Sequence, residues 1–225
     1  MKLRCGRVPP LWKGALCLVG ILDYGVGNVG SIQNMLKKAG SGSVIVHTAQ
    51  ELFPCDKLIL PGVGAFDDGM ARLNESGMRE ALDTAVQTGK PVLGICLGMQ
   101  MLGLDSEEGT SPGLGYIRFR NVRFHLEATP ELKVPHMGWD TVSLPDPEDP
   151  LVRGQAEPPR YYFVHSYYPS TDEPSCVISE TDYAGITFVS AVGQNNLVAT
   201  QFHPEKSGRI GLRLLENFIR WNGRA

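Results

Sequence analysis

Cysteine, basic charge and long apolar runs are all scarce in this chain. Its five cysteines (Cys5, Cys17, Cys55, Cys96 and Cys176) are an odd number among 225 residues and include no C-x-x-C pair. That pattern fits free thiols in a reducing compartment, the cytoplasm, better than a disulfide framework. The five histidines show no metal-ligand spacing, so no metal is expected. A formal net charge of −3 without a dense basic run argues against nucleic acid as a partner. The longest apolar segment near the start, Ala15 to Leu22, is too short to span a bilayer, so no membrane segment is expected. Internal repeats, low-complexity tracts and long linkers are also missing.

What remains is a hydrophobic fraction of 42%, enough for a sizeable core. Residues 1–15 carry Lys2, Arg4, Arg7 and Lys13 with no acid, a faint resemblance to a targeting segment. Pro9-Pro10, the interrupting Lys13 and the lack of a cleavage site argue for a disordered extension, or an upstream start codon, ahead of one domain over 16–225.

The first half alternates strand-like and helix-like segments. Leu16 to Leu22, Val44 to His47, Asp56 to Leu60 and Pro91 to Ile95 read as strands. Val29 to Ala39 reads as a helix, with Val29, Ile32, Met35 and Leu36 at helical spacing. Met70 to Gln87 is helical with a break near Gly77, and Leu97 to Leu104 follows the fourth strand as a helix. This order predicts an α/β fold: an open, mostly parallel sheet flanked by helices. The second half predicts an antiparallel annex, with strands at Tyr116 to Phe124, Arg160 to Tyr168, Cys176 to Ser179, Ile186 to Val192 and Leu197 to Phe202. Leu144 to Pro159, with five prolines, is the most loop-like piece. Leu214, Leu215, Phe218 and Ile219 mark the buried face of a last helix.

Two motifs carry chemistry. Gly94-Ile95-Cys96-Leu97-Gly98 is a thiol nucleophile elbow: a tight strand-to-helix turn whose flanking residues need almost no side chain. It sets Cys96 at a helix N-terminus, where backbone N–H groups favour a thiolate and can hold an oxyanion. Taken alone, the pentapeptide also fits a small buried cysteine in a Gly-rich turn. Far downstream, Gln201-Phe202-His203-Pro204-Glu205-Lys206 follows a strand. A thiol nucleophile needs a base, and the base an orienting group. In an extended segment His203 and Glu205 face the same side, which suits these roles. Gly62-Val63-Gly64, Cys96 and His203 all fall after strands, at the edge where open α/β sheets bind ligands.

These residues resemble the class I (triad) glutamine amidotransferases. More narrowly, the segments Asp23 to Asn28, Pro61 to Phe66, Gly94 to Gln100, Pro135 to Trp139, Tyr162 to Tyr167 and Phe202 to Ser207 are similar to the glutaminase subunits of imidazole glycerol phosphate synthase, in order from about residue 16 onward. The resemblance implies a flavodoxin-like fold and a Cys96, His203, Glu205 triad. It implies an oxyanion hole from Leu97 and the Gly62-Val63 turn, and glutamine recognition by Gln100, Glu108, His165, Ser166 and Tyr167. No cofactor is implied. The implied partner is a (β/α)8 cyclase subunit that receives ammonia through a channel, forming a heterodimer in histidine biosynthesis. Asn28, Met137, Trp139, Tyr162 and Lys206 match its interface, with Trp139 expected in a Gly-rich loop. Asp140 departs from the usual Asn, and Gly103 and Leu104 replace bulkier or acidic residues. Another amidotransferase's glutaminase, a silent binding homologue and a cysteine hydrolase on the same elbow remain alternatives.

Overall fold

Short apolar runs that alternate with helical periods bury on both faces of one sheet. The computed structural model describes residues 17–125, 133–155 and 158–224; the extension over 1–15 lies outside them. The first half runs β1 (Leu18–Leu22), α1 (Val29–Lys38), β2 (Gly42–Val46), α2 (Ala49–Leu52), β3 (Lys57–Gly62), α3 (Phe66–Glu75), α4 (Arg79–Gln87), β4 (Val92–Cys96) and α5 (Leu97–Leu102). The second half adds β5 (Arg120–Arg123), β6 (His136–Ser143), β7 (Arg160–His165), β8 (Tyr167–Ser170), β9 (Val177–Tyr183), β10 (Ile186–Gln194), β11 (Leu197–Thr200) and α6 (Gly208–Arg220).

Nine strands form one sheet in the order β2-β1-β3-β4-β11-β10-β9-β6-β7. The pairings from β2 through β11 are parallel, and those from β11 through β7 are antiparallel. The expected antiparallel annex is therefore mostly an extension of the same sheet. Among the described residues, only β5 and β8 stand apart, as a two-stranded ladder. Side chains along each strand alternate between two cores. Leu58 and Leu60 pack with Met70, Leu73, Leu82 and Leu102 on the α3–α5 face. Ile59 packs with Ile32, Leu36, Leu214, Leu215 and Phe218 on the α1 and α6 face. Each such fully buried side chain contributes about 1.5–3 kcal/mol.

Local chemistry sets the element ends. Asn28 caps α1 by accepting the Ser31 N–H at 3.2 Å. Thr48 and Glu51 form a reciprocal capping box on α2. Gly77, at φ +70°, breaks α3 from α4 where the sequence predicted an interruption. The helix after Cys96 stops at Leu102 rather than Leu104, because the chain turns at Gly103, where a Cβ would stand 2.5 Å from the Phe119 ring. The glycine there is a packing requirement.

Three other expectations change. The segment from Tyr116 to Phe119 is not strand: the Tyr116 and Ile117 N–H groups both bond the Leu102 carbonyl, folding it under α5. Arg160 to Tyr168 splits at Ser166, and β8 leaves the main sheet to pair with β5. Trp139 does not sit in a loop. It lies within β6, opposite Tyr162 of β7. That strand is hard to read because its pattern is inverted: His136 points inward while Met137 and Trp139 point out.

The elbow depends on a close backbone approach. A Cβ at Gly98 would stand 1.8 Å from the Leu60 carbonyl oxygen of β3. Neither partner is a flexible side-chain end, so β3 and α5 must separate to admit it. Gly98→Ala is expected to cost at least about 3 kcal/mol, the upper end of overpacking penalties. A urea midpoint equal to that of the parent would show that the two elements part freely.

Candidate active site

The sheet order brings the two motifs together. β4 ends at Cys96 between β3, whose Gly62 is in register with Cys96, and β11, whose Thr200 is in register with Ile95. His203 lies three residues beyond Thr200, so the thiol and the imidazole share one sheet edge. Cys96 has φ +54° and ψ −112°, the left-handed backbone of a nucleophile elbow on a residue other than glycine. Such a conformation costs about 1–3 kcal/mol and persists only where its surroundings enforce it. Here close packing at Gly94 and Gly98 does so: a Cβ on Gly94 would meet the Gly98 carbonyl at 3.0 Å.

His203 is 2% exposed, and its Nδ1 lies 2.7 Å from Glu205 Oε1. The Glu205 side chain is equally buried. The intervening segment is a 3₁₀ turn over Pro204–Lys206 rather than the extended chain expected, yet the turn still delivers the carboxylate to the ring. The Lys206 N–H and the Ser207 hydroxyl both bond the His203 carbonyl, and the His203 N–H bonds the Tyr162 carbonyl, so the base is tied to β7. Against a carboxylate, Nδ1 carries the hydrogen, which leaves Nε2 for the reaction. That Nε2 is buried and makes no other hydrogen bond among the described residues. Burial alone favours a neutral imidazole. The Cys96 thiol and the Glu205 carboxylate outweigh it and lift the His203 pKa to about 9.

A cavity of about 230 Å³ opens over Cys96 and His203. Val63, Gly64 and Leu97 form its wall beside the thiol. Gly62 belongs to β3, packed so tightly on α5 that a Cβ there would lie 2.8 Å from the Leu97 Cβ. Gln100, Glu108, His165, Ser166 and Tyr167 line the rest, so all five residues expected to recognise glutamine meet in one place. Glu108 accepts the Phe66 N–H at 2.8 Å. Its loop is held by Asp67, which accepts the Thr110 and Ser111 N–H groups. The Tyr167 carbonyl receives Gln100 Nε2 at 3.1 Å and His165 Nδ1 at 2.8 Å. Burial drives the His165 pKa down to about 3, so its ring is neutral. Its Nε2 meets His136 Nδ1 at 3.1 Å, and His136 in turn reaches Asp140 at 3.3 Å. Asp140, the departure noted in the sequence, is thus joined to the pocket through two rings.

The residues matched to a partner interface lie just outside. Met137 is 63% exposed and Trp139 48% exposed, both on the outer face of β6. Trp139 meets Tyr162 edge-on at 6.3 Å, and Lys206 Nζ lies 5.6 Å from the Tyr162 ring centre. Tyr162 is in turn 6.5 Å from the His203 ring, which links this surface to the base. Asn28 is exposed at the start of α1. Two buried residues of the site went unnoticed in the sequence: His136, inside Pro135 to Trp139, and Gln201, two positions before His203. The i, i+2 spacing that selected Glu205 applies equally to Gln201.

Residues 20–221 match the family Glutamine amidotransferase class-I. A Pseudomonas aeruginosa protein, imidazole glycerol phosphate synthase subunit HisH 2, is 47% identical over 203 residues, covering 90% of this chain and 98% of that one. The HisH subunit of Leptospira interrogans is 47% identical over 204 residues, covering 89% and 98%. Solved structures share the fold at lower identity. A putative GMP synthase protein from Thermoplasma acidophilum superposes with a TM-score of 0.70 at 21% identity, covering 92% of this chain and 94% of that one. PurLQS from Thermotoga maritima does so with a TM-score of 0.72 at 17% identity, covering 92% and 99%. The elbow, the buried imidazole–carboxylate pair and these matches over nearly all of its length place the chain among the class I glutamine amidotransferases, in the family of imidazole glycerol phosphate synthase HisH subunits.

Proposed function

We propose that this chain hydrolyses glutamine to glutamate and ammonia, and delivers the ammonia to a (β/α)8 cyclase subunit that converts PRFAR to imidazole glycerol phosphate and AICAR in histidine biosynthesis. The observation that carries the chemistry is the buried Cys96, His203 and Glu205 set, whose Cys96 and His203 line the same cavity as Gln100, Glu108 and Tyr167.

The Cys96 thiolate attacks the side-chain carbonyl carbon of glutamine. Negative charge gathers on the carbonyl oxygen, and the donors assigned to it are the Leu97 N–H and an N–H of the Gly62-Val63 turn. The tetrahedral intermediate collapses by breaking the C–N bond, and His203 Nε2 gives its proton to the departing ammonia. A glutamyl thioester remains on Cys96. The now neutral His203 takes a proton from water, whose oxygen attacks the thioester and releases glutamate. Glu205 keeps the ring in one tautomer and stabilises its charged form throughout. Glu108 faces the substrate α-ammonium, while Tyr167 and its neighbouring main chain meet the α-carboxylate.

The exposed pair Met137 and Trp139, backed by Tyr162 and Lys206, forms the docking surface for the cyclase subunit. Through Tyr162, that surface reaches the backbone of the base. Identities of 43–47% to HisH subunits favour this partner over the synthases of the structural neighbours, which share 15–21%. The four described cysteines are unpaired, and no described helix is long and apolar enough to cross a membrane. The reducing cytoplasm suits such a protein.

The test is glutamate release from glutamine, measured for the chain alone and with the cyclase subunit plus its nucleotide ligand. Strong activation by both together is the expected result; indifference to that subunit would redirect the assignment to another synthase. In the same assay Trp139→Ala is expected to weaken the cyclase titration by at least about thirtyfold, the effect of losing an interface anchor worth about 2 kcal/mol. An unchanged titration would remove Trp139 from the interface.

A further inference from the structure

We propose that the Gln201 side-chain amide is a thiolate-binding group of this active site, donating an N–H to Cys96 Sγ in an orientation dictated by Gln100. The inference rests on Cys96 being the nucleophile and adds the group that holds its sulfur charge.

Gln201 is fully buried. Its main-chain N–H bonds the Ser190 carbonyl at 2.8 Å, fixing the residue to β10. Its side chain spans two partners: Oε1 lies 3.1 Å from Gln100 Nε2, and Nε2 lies 3.7 Å from Cys96 Sγ. Oxygen and nitrogen of an amide are assigned by their partners, and here the partners leave one solution. The Tyr167 carbonyl can only accept, so the Gln100 atom 3.1 Å from it is the NH2 group. That same NH2 faces Gln201, so the Gln201 atom opposite is the oxygen. The nitrogen is left pointing at sulfur. Turning Gln201 over would set two NH2 groups against each other. Turning both amides over would set an oxygen against the Tyr167 carbonyl. The chain of donors therefore runs in one direction, from the glutamine pocket to the nucleophile.

The consequence is chemical. A thiolate accepts a hydrogen bond more strongly than a thiol does, so a fixed buried donor favours the charged form. His203 supplies the counter-charge from one side and the Gln201 amide a neutral dipole from another. Once the thioester forms, the sulfur charge is gone and this bond weakens, with no proton transferred to or from Gln201. Because Gln100 also bonds the Tyr167 carbonyl, a shift of the Tyr167 segment on substrate binding is felt at the sulfur through two amides.

The experiment is the pH profile of iodoacetamide alkylation at Cys96 in the full chain, followed by mass spectrometry of the peptide that carries it. Alkylation requires no glutamine turnover, so its outcome is independent of the assay for the proposed reaction. Gln201→Met removes the donor while keeping most of the volume. Its profile is expected to move upward by about one pH unit, the effect of losing one hydrogen bond to a charged group. Below the midpoint the rate should fall about threefold to tenfold, the smaller loss reflecting the greater nucleophilicity of a more basic sulfur. The plateau at high pH should not fall. Gln201→Glu keeps the acceptor for Gln100 but turns a carboxylate oxygen toward sulfur, and should move the profile further. If Gln201→Met does not fold, as judged by near-UV circular dichroism, Gln201→Glu decides. An unmoved midpoint in a folded variant, or a uniform fall at every pH, would reduce Gln201 to a packing role and overturn the proposal. So would a native parent protein whose Cys96 resists alkylation at all pH values.

Discussion

Cys96→Ala is expected to abolish glutamate release from glutamine, by more than about a thousandfold, while synthesis by the cyclase complex from added ammonium salts continues. The loss is large because thiol and base act as one unit, and removing either member of such a pair forfeits nearly all of the covalent pathway. The fold should survive. Alanine is smaller than cysteine and meets the same φ of +54° without a new clash, since both carry a Cβ. The cost is the loss of the sulfur as acceptor for Gln201 Nε2, about 1 kcal/mol. The variant also reports on His203. The thiol is one of the two groups that raise the His203 pKa to about 9, so without it the imidazole should titrate lower, with burial pulling it down. Proton NMR of the ring would read that shift directly. Loss of the ammonia-dependent reaction as well as the glutamine-dependent one would instead make Cys96 structural and dissolve the nucleophile assignment.

The parts of the molecule that were legible in the sequence are those where one residue type has one physical reason to be there. Gly98 can only be glycine with a carbonyl 1.8 Å from where its Cβ would stand, so the elbow motif announces its own packing. Leu58, Ile59 and Leu60 are buried on both faces, and a continuous apolar run says so. β6 fails the same test because its inward positions include His136 while its outward ones carry Met137 and Trp139, the reverse of a core-facing strand. That inversion marks a strand whose outer side is kept for something other than water. The break at Ser166 was illegible for a different reason. Nothing in Tyr162 to Tyr168 marks a change of partner; β8 is drawn off the sheet by pairing with β5, a contact made 44 or more residues away in sequence. Gln201 is a third case. Glutamine beside a strand end reads as surface chemistry, and only the positions of Gln100 and the Tyr167 carbonyl give it a direction.

Glu205→Gln should lower kcat for glutamine hydrolysis by about a hundredfold to ten-thousandfold, the range seen when the orienting acid of a nucleophile–histidine pair is neutralised. The amide is nearly isosteric and the site is rigid, so folding should be retained. What changes is the ring. Glu205 Oε1, 2.7 Å from Nδ1, both selects the tautomer and raises the imidazole pKa. With glutamine in its place one raising influence is lost and burial is opposed by the thiol alone, so the pKa of His203 drops from about 9. The direction of the rate effect follows. His203 must hold a proton to release ammonia, and in the parent protein that proton is present below about pH 9 and lost above it. The alkaline limb of kcat/KM in the parent complex should therefore fall near that value, and in Glu205→Gln it should fall at lower pH. If the limb stays in place while the rate falls, Glu205 orients the ring without setting its charge, and the imidazolium owes its stability to the sulfur.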